Sequence, residues 1–426
     1  SVGLSANLKK HGLEILRFKT GTPSRVDRRS LHLDKMELEE GDPENHAFSF
    51  MSERKDRNKR NCWLTYTNEK THEIIRENIM RASKYAGKIH GIGARYCPSI
   101  EDKVVRFADK DRHQLFVEPE GLDTTEMYVQ GMSTSMPIDV QYAFLRTIPG
   151  FEDVKMMRPA YAIEYDLLDP LQLYPTLEVI KLPGLYSAGQ SNGTSGYEEA
   201  AAQGLVAGIN AALKIQGKDP FILARHEAYI GSLVDDLVTK GADEPYRMMT
   251  SRSEYRLILR QDNADLRLTE KGHSIGLVGE ERYARFLERK KKYEEAMDYI
   301  RTQRFTPKEE INRALESMGT APLTTGTGAD QILKRPEMTY RKMMEILGCP
   351  SFDEEAVEEM EITVKYEGYI ARQEAAVRKA ARMENEKLPL DMDYLSLDGI
   401  STEARQKMDK IRPLSLGQAA RIPGVS

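Results

Sequence analysis

The stretch "LPGLYSAGQSNGTSGYEEAAAQGLVAGINAAL", Leu182 to Leu213, constrains the fold more than any other part of the chain. It reads as a short apolar strand, a loop dense in Gly, Ser, Asn and Thr, and an Ala-rich helix. A loop of this kind opening onto a helix N-terminus is an anion site, because free backbone N–H groups and the helix dipole point at it. Gly189, Gly193 and Gly196 remove side chains where a ligand or backbone comes close. Gln190, Ser191, Asn192, Thr194 and Ser195 supply neutral donors and acceptors, and no Lys or Arg falls between Lys181 and Lys214. That favours a ligand held by backbone N–H groups over a free triphosphate. Glu198 and Glu199 in the first turn suit the dipole. Ala200, Ala201, Ala202, Gly204, Ala207 and Gly208 leave a thin helix face that can lie close on a sheet. The competing reading is a packed strand–loop–helix without a ligand. Neither G-x-G-x-x-G nor G-x-x-x-x-G-K-[ST] occurs in the 426 residues.

A chain of 426 residues exceeds one ordinary core, so two or three domains are expected. With 40% hydrophobic and 30% charged residues it reads as globular and not disordered. No apolar run approaches the roughly 18 residues of a membrane helix, and no basic-then-apolar leader follows the opening Ser-Val. Three cysteines, Cys62, Cys97 and Cys349, make no disulfide framework and favour a reducing cytoplasm. The eight histidines are scattered, so no metal site is expected. At net charge −5, a nucleic-acid partner needs a local basic patch.

Along the chain, a strand is expected near Leu16–Lys19, then a turn through Gly21, Thr22 and Pro23. Residues 34–60 read as a long charged surface loop. "NEKTHEIIRENIMRASKYAG" predicts a helix capped by Thr71, with Ile74, Ile75 and Ile79 on one side. "HQLFVEPEG" and "EMYVQGMST" read as strands. The helix after the glycine loop fades at Gly217-Lys218-Asp219-Pro220, and beyond it the pattern is helical. "RFLERKKKYEEAMDYIRTQ" and "GYIARQEAAVRKAARMENEK" are long and amphipathic, separated by a loop at Thr324–Asp330. "DEEAVEEME", Asp353–Glu361, reads as solvated surface or a partner contact. Both ends read as cut, the first inside an incomplete α/β unit, the last at the turn Ile422-Pro423-Gly424-Val425.

The segment "GLYSAGQSNGTSGYEEAAAQG" resembles the second flavin-contacting segment of glutathione-reductase-like FAD proteins. Through "LRFKTGTPSRVDRRS", "ARYCPSIEDKVVRFADK", "RPAYAIEYD", "EPYRMMTSRSEYRLILRQDNADLRLTEKG", "VKYEGYIARQ" and "IRPLSLGQAARIPGV", nearly the whole chain is similar to one family. This is the large FAD-binding subunit of the bacterial tRNA uridine 5-carboxymethylaminomethyl modification enzyme, the glucose-inhibited division protein A family. The family's first FAD element and a nearby cysteine have no counterpart here, so a family member with its N- and C-terminal ends removed is expected, and the isolated fragment is expected to be inactive. The resemblance implies a cytoplasmic flavoprotein that works with a GTPase subunit as a homodimer in a heterotetramer. It adds an (carboxymethyl)aminomethyl group to C5 of the tRNA wobble uridine, using FAD, NADH and a methylene-tetrahydrofolate one-carbon unit. The implied fold is α/β plus all-α, a partial glutathione-reductase-like FAD-binding fold with an α+β insertion domain, followed by a helical C-terminal domain. Residues 1–150 are assigned to the insertion and substrate side, 151–217 to the C-terminal portion of the FAD domain, and 218–426 to a helical tRNA- and partner-binding region.

Carried over by motif, FAD contacts fall on Gly189, Gln190, Asn192, Gly193, Thr194, Gly196, Tyr197 and Glu198. A NAD segment falls on Gly93, Arg95, Tyr96, Pro98, Ser99, Glu101, Asp102, Lys103, Arg106 and Phe107, although Gly91 and Gly93 make only a flexible turn and no glycine fingerprint. Cys97 is the candidate catalytic thiol. Arg95, Lys103 and Arg106 nearby in sequence favour thiolate, which could add to uridine C6 and activate C5. Cys62 and Cys349 read as structural. Arg252, Arg256 and Arg260 recur every four residues and, if helical, form a basic stripe flanked by Arg247 and Arg267 with Tyr246 and Tyr255 interleaved. Lys365, Tyr366, Tyr369 and Arg372, with Arg378, Lys379 and Arg382, form a second RNA-facing candidate. Competing readings are a folate- and FAD-dependent tRNA uridine C5-methyltransferase and a non-catalytic tRNA- or partner-binding fragment. A disulfide reductase of the same fold lacks its C-x-x-C or C-x-x-x-x-C pair.

Overall fold

In the computed structural model, residues 2–43, 47–52, 58–96, 98–389, 391–422 and 424–425 are described. The chain divides into two compact units: Ser1–Phe48, Ser52–Ile222 and Asp236–Met248 form the first, and Ser49–Met51, Leu223–Asp235 and Met249–Ser426 the second.

The first unit holds helices α1 (Val2–Lys10), α2 (Glu69–Glu77), α3 (Ile100–Arg106), α4 (Ile138–Leu145) and α5 (Tyr197–Ile215). Its strands are β1 (Ile15–Thr22), β2 (Arg25–Asp27), β3 (Glu37–Glu39), β4 (Cys62–Tyr66), β5 (Ile92–Gly93), β6 (Gln114–Pro119), β7 (Glu126–Gln130), β8 (Met156–Arg158) and β9 (Tyr161–Leu168). They make two sheets. One is six-stranded and antiparallel, in the order β3-β4-β6-β7-β2-β8. Alternating side chains from it, including Val26, Leu115, Val117, Met127 and Val129, meet Ile75, Ile100 and Phe144 of the covering helices in one core. The other sheet, β5-β1-β9, joins β1 to β9 over all eight residues, Ile15↔Leu168 through Thr22↔Tyr161. Residue 150 is therefore no boundary. β8 completes the six-stranded sheet beyond it, while β1 belongs with β9.

Several local expectations are corrected. The cap of α2 is Asn68, whose side chain accepts from the Thr71 N–H, and Thr71 closes the capping box from the third helical position. Residues 34–60 contain β3, paired with β4, as well as loop. The run before the glycine loop makes only isolated bridges, Leu173↔Val179 and Glu178↔Tyr186. Leu177 at φ 65° and Gly184 at φ 91° turn the chain too sharply for a continuous ladder there.

Helix α6 (Tyr229–Lys240) has residues in both units. The second unit is helical: α7 (Ala264–Ser274), α8 (Glu280–Thr302), α9 (Glu309–Ser317), α10 (Ala329–Leu333), α11 (Tyr340–Leu347), α12 (Glu354–Asn385), α13 (Thr402–Ile411) and α14 (Leu416–Arg421). A short pair, β10 (Arg304–Phe305) and β11 (Thr327–Gly328), replaces part of the loop expected at 324–330. Ile300, Leu315, Ile332, Met343 and Met360 build its core. The acidic run at the start of α12 is not all solvated. Glu359 and Met360 lie on its buried face. Residues 253–259 are not helical, so Arg252, Arg256 and Arg260 make no helical stripe. Only Thr250–Arg252 forms a 3-10 turn.

Candidate functional site

Strand β1 alternates its side chains, placing Phe18 in the core and Lys19 on the opposite face. Lys19 is 7% exposed. It lines a cavity of about 210 Å³ with Lys84, Ser99, Glu101, Asp102 and Arg106. Gly93, Pro98 and the run Ser133–Ser135 also border it. Helix α3 opens on Ser99, whose hydroxyl accepts the Asp102 N–H at 3.4 Å.

Two buried carboxylates in that first turn are held differently. Glu101 Oε1 accepts from the Ser135 N–H at 3.1 Å and the Ser135 hydroxyl at 3.0 Å. Asp102 accepts from Lys84 Nζ at 2.5 Å and the Tyr85 hydroxyl at 3.1 Å, with Lys19 Nζ at 3.8 Å. Burial pushes the Asp102 carboxyl up, but Lys84 and Lys19 outweigh it and hold the group below its ordinary range. Burial and the Asp102 charge push the Tyr85 phenol up to about 12. Burial lowers the Lys19 ammonium against the pull of Asp102.

The glycines of "GIGARYC" serve packing. A Cβ on Gly91 would lie 2.7 Å from the Phe18 carbonyl carbon, and one on Gly93 would lie 2.6 Å from Lys19 Cε. They let β5 pair with β1 at Phe18↔Ile92 and Lys19↔Gly93 while the Lys19 chain crosses above. The cavity is smaller than the roughly 300–1,000 Å³ of pockets for drug-sized ligands. It has room for one ring. The proposed NAD segment is thus only partly gathered. Gly93, Pro98, Ser99, Glu101, Asp102 and Arg106 reach the cavity. Arg95 pairs with Glu244 at 3.3 Å, Lys103 donates to the Gly131 carbonyl at 3.1 Å, and Tyr96 and Phe107 are exposed. Cys97, the candidate thiol, lies outside the described residues. Burial raises both other thiols, Cys62 and Cys349, which fits packed and unreactive groups.

The glycine loop is built from beneath. Asn192 Nδ2 donates to the Ser187 carbonyl at 2.8 Å and to Gln203 at 2.9 Å. Gln203 in turn donates to Thr194 and to the Glu199 carbonyl, each at 3.0 Å. Tyr246 N–H donates to the Gly193 carbonyl at 2.8 Å, and Ser195 N–H to the Tyr246 carbonyl at 2.9 Å. Gly189 and Gly193 sit at φ 78° and 85°, conformations other residues rarely adopt. Helix α5 then begins at Gly196 with no side-chain cap, and Tyr197 is 94% exposed beside exposed Glu198. Gln190 also faces outward.

The RNA-facing candidates separate. Arg247 is exposed in the first unit, and the others belong to the second. Arg260 is committed internally, to Asp262 at 2.9 Å and Glu359 at 2.5 Å. Arg267 is tied to the Glu227 carbonyl. Arg256 is exposed. On α12, Lys365 donates to the Met338 carbonyl at 2.6 Å and pairs with Glu361, while Tyr366 and Tyr369 are exposed and the Arg372 guanidinium lies 4.8 Å from the Tyr369 ring centre. Sequence reasoning missed Lys19, Lys84 and Ser133–Ser135. Arg17 and Lys19 at alternate positions of β1 were the available signal for Lys19. Among the described residues, no group of three or more His, Cys, Asp or Glu could hold a metal ion, and no helix is long and apolar enough to cross a membrane.

A nucleotide-type loop and helix with a mixed α/β region, followed by a helical one, define the class of α/β enzyme with a helical appendage. The chain matches "Glucose inhibited division protein A" over residues 1–219, "tRNA modifying enzyme MnmG/GidA C-terminal helical domain" over 280–374, and the corresponding C-terminal helical bundle over 376–426. It is 55% identical over 424 residues to the tRNA uridine 5-carboxymethylaminomethyl modification enzyme MnmG of Caldicellulosiruptor saccharolyticus, covering 99% of this chain and 68% of that one. The same-named enzyme of Clostridium kluyveri is 56% identical with the same coverage. Aquifex aeolicus GidA, in its form II crystal, superposes with a TM-score of 0.86 at 45% identity, covering 100% of this chain and 68% of that one. The chain belongs to the glucose inhibited division protein A family of tRNA uridine modification enzymes.

Proposed function

We propose that the chain takes part in adding an (carboxymethyl)aminomethyl group to C5 of the tRNA wobble uridine, with FAD received at the Gly189–Gly196 loop. The observation that carries this reading is the glycine N-cap of α5, Gly196, at the head of a helix of 19 residues and over a loop fixed by Asn192, Gln203 and Thr194. The Glu199 carboxylate lies against Gly196 on one side, so a ligand would approach the first turn from the other. An anion there needs no side-chain cation, which fits the absence of Lys and Arg between Lys181 and Lys214. The fit is to a pyrophosphate held by backbone groups, with Gln190, Tyr197 and Glu198 on the outer side and Gly189, Asn192, Gly193, Thr194 and Gly196 shaping the cradle. When bound, the flavin supplies two-electron chemistry.

NADH as reductant, a folate one-carbon unit, a GTPase subunit, a homodimeric assembly and a cytoplasmic setting belong to the same reading through the family. Cys97 is retained as its thiol nucleophile. Arg256, Tyr366, Tyr369 and Arg372 are the exposed groups suited to phosphate and base contacts. The test is the visible spectrum of the purified chain after incubation with FAD and desalting. A folded chain that loses its flavin on desalting is expected, because the family's first FAD element has no counterpart here and the loop supplies half of the site. A retained flavin band would overturn that expectation and make the loop a complete pocket by itself.

A further inference from the structure

Lys19 is a buried lysine of the first unit that lines the cavity and pairs only loosely with a carboxylate. Among the described residues its ammonium has no hydrogen-bond acceptor, and the carboxylate it faces, Asp102, stands 3.8 Å away and is already bonded to Lys84 at 2.5 Å. Its residue is 7% exposed, and it borders the 210 Å³ cavity. An ammonium at a cavity wall with no protein acceptor within hydrogen-bond distance among the described residues has donors to offer, and a ligand oxygen in the cavity would take one.

The rest of the lining narrows that ligand. Lys19, Lys84 and Arg106 stand against the carboxylates of Glu101 and Asp102 on the lining, so its charge is nearly balanced and suits a neutral ligand better than a multiply charged anion. Ser99, Ser133, Thr134 and Ser135 also line the cavity, and a hydroxyl can donate or accept. The cavity has room for one ring, and exposed Ile92 and Arg106 stand at its border. This describes a pocket for a neutral heterocycle with a carbonyl oxygen, read on its hydrogen-bonding edge. An enzyme that acts on a base must take it out of its stack into such a pocket.

We propose that this cavity receives the uracil ring of the tRNA substrate and that Lys19 is a specificity-determining residue, its ammonium donating to O4. The inference rests on the tRNA-modification reading above. Cytosine carries an amino donor at C4, which would set two donors against each other and leave Lys19 unsatisfied. Sites built around one polar contact reject the analogue that cannot make it.

The experiment measures binding of the 426-residue chain to three anticodon stem–loop RNAs that differ only at the wobble position. These carry uridine, cytidine or 4-thiouridine. The uridine RNA is expected to bind about 10- to 100-fold more tightly than the cytidine RNA, the range of a hydrogen bond to a charged group. The 4-thiouridine RNA falls between them, since sulfur is the weaker acceptor, and this comparison needs no altered protein. Lys19→Met should bring the uridine RNA to the cytidine level without changing the salt slope, because no phosphate contact is lost. Lys19→Arg, which keeps a donor, should retain part of the preference. Equal binding of the three RNAs by the unaltered chain, or an undiminished preference in folded Lys19→Met, overturns the assignment. A chain that binds none of the RNAs overturns the underlying tRNA reading instead.

Discussion

Two clusters of charge, one in each unit, are built to opposite plans. In the second unit, Arg260 is consumed by its neighbours. It holds Asp262 and Glu359, donates from Nη1 to the Leu257 carbonyl at 2.8 Å, and is largely buried. In the first, Asp102 is shared between Lys84 and a distant Lys19, and the cluster borders a cavity. The closed cluster fastens α12 to the 260–262 turn. The open one has a donor left over. A buried cation bonded to two acids and a carbonyl reads as structure, and one loosely paired beside a cavity reads as a site.

The comparison can be broken by substitution, beginning with the largest effect. Arg260→Met should destabilise the second unit by about 3 kcal/mol, because it removes the hydrogen bonds that buried Glu359, partly exposed Asp262 and the Leu257 carbonyl receive from one guanidinium. Thermal unfolding measures it, and a loss under 1 kcal/mol would remove the distinction drawn here. Gly91→Ala attacks the frame of the open cluster and should cost about 2 kcal/mol, since its Cβ meets the Phe18 backbone at 2.7 Å.

Acidity separates the clusters next. Burial and the adjacent Asp262 push the Glu359 carboxyl up to about 8. The folded state therefore binds this proton more tightly than the unfolded one. Its stabilising contribution is present below the ordinary carboxylate pKa and is lost as pH rises toward 8. Asp102 works in the opposite sense. Its pKa is depressed, so its contribution is present above the ordinary carboxylate range and is lost on acidification. Glu359→Gln should flatten the decline between pH 5 and 8 that urea midpoints would otherwise show, leaving the acid limb in place.

Lys19→Met should shift stability by less than about 1 kcal/mol, because Asp102 keeps Lys84 and no hydrogen bond is lost. A large loss of melting temperature would make Lys19 structural after all. Smallest of all, Arg256→Glu should leave the fold unchanged and lower the salt slope of tRNA binding by about 1. An unaltered slope would remove Arg256 from the RNA surface. Arg260 cannot serve that test, since its reversal would break the closed cluster first.

The sequence was readable where local chemistry decides. The glycine loop, α5, β6, β7 and the long helices follow from turn residues, periodicity and breakers near at hand. It was unreadable where distant pairing decides. The four-residue spacing of Arg252, Arg256 and Arg260 promised a helix, but the chain turns through 253–259 and Arg260 finds Glu359 almost a hundred residues on. The apolar run at Leu182 promised a strand, but two turns intervene. Gly91 and Gly93 looked like a flexible turn because the strand they lie against is remote in sequence. Lys19 looked like an ordinary strand lysine until β9 and α3 enclosed it.

The pairing of β1 with β9 also sets a timetable. Lys19 stands opposite Glu164, and every strand of the six-stranded sheet lies between them in the chain. During synthesis β1 leaves the ribosome long before its antiparallel neighbour exists, while the intervening sheet can already collapse on its own core. The strand that carries the cavity's lysine must wait through the making of an entire sheet before its register is fixed. Ring recognition is thus among the last properties this unit acquires, and a nascent chain stalled before Leu168 would hold a finished scaffold around an unfinished pocket.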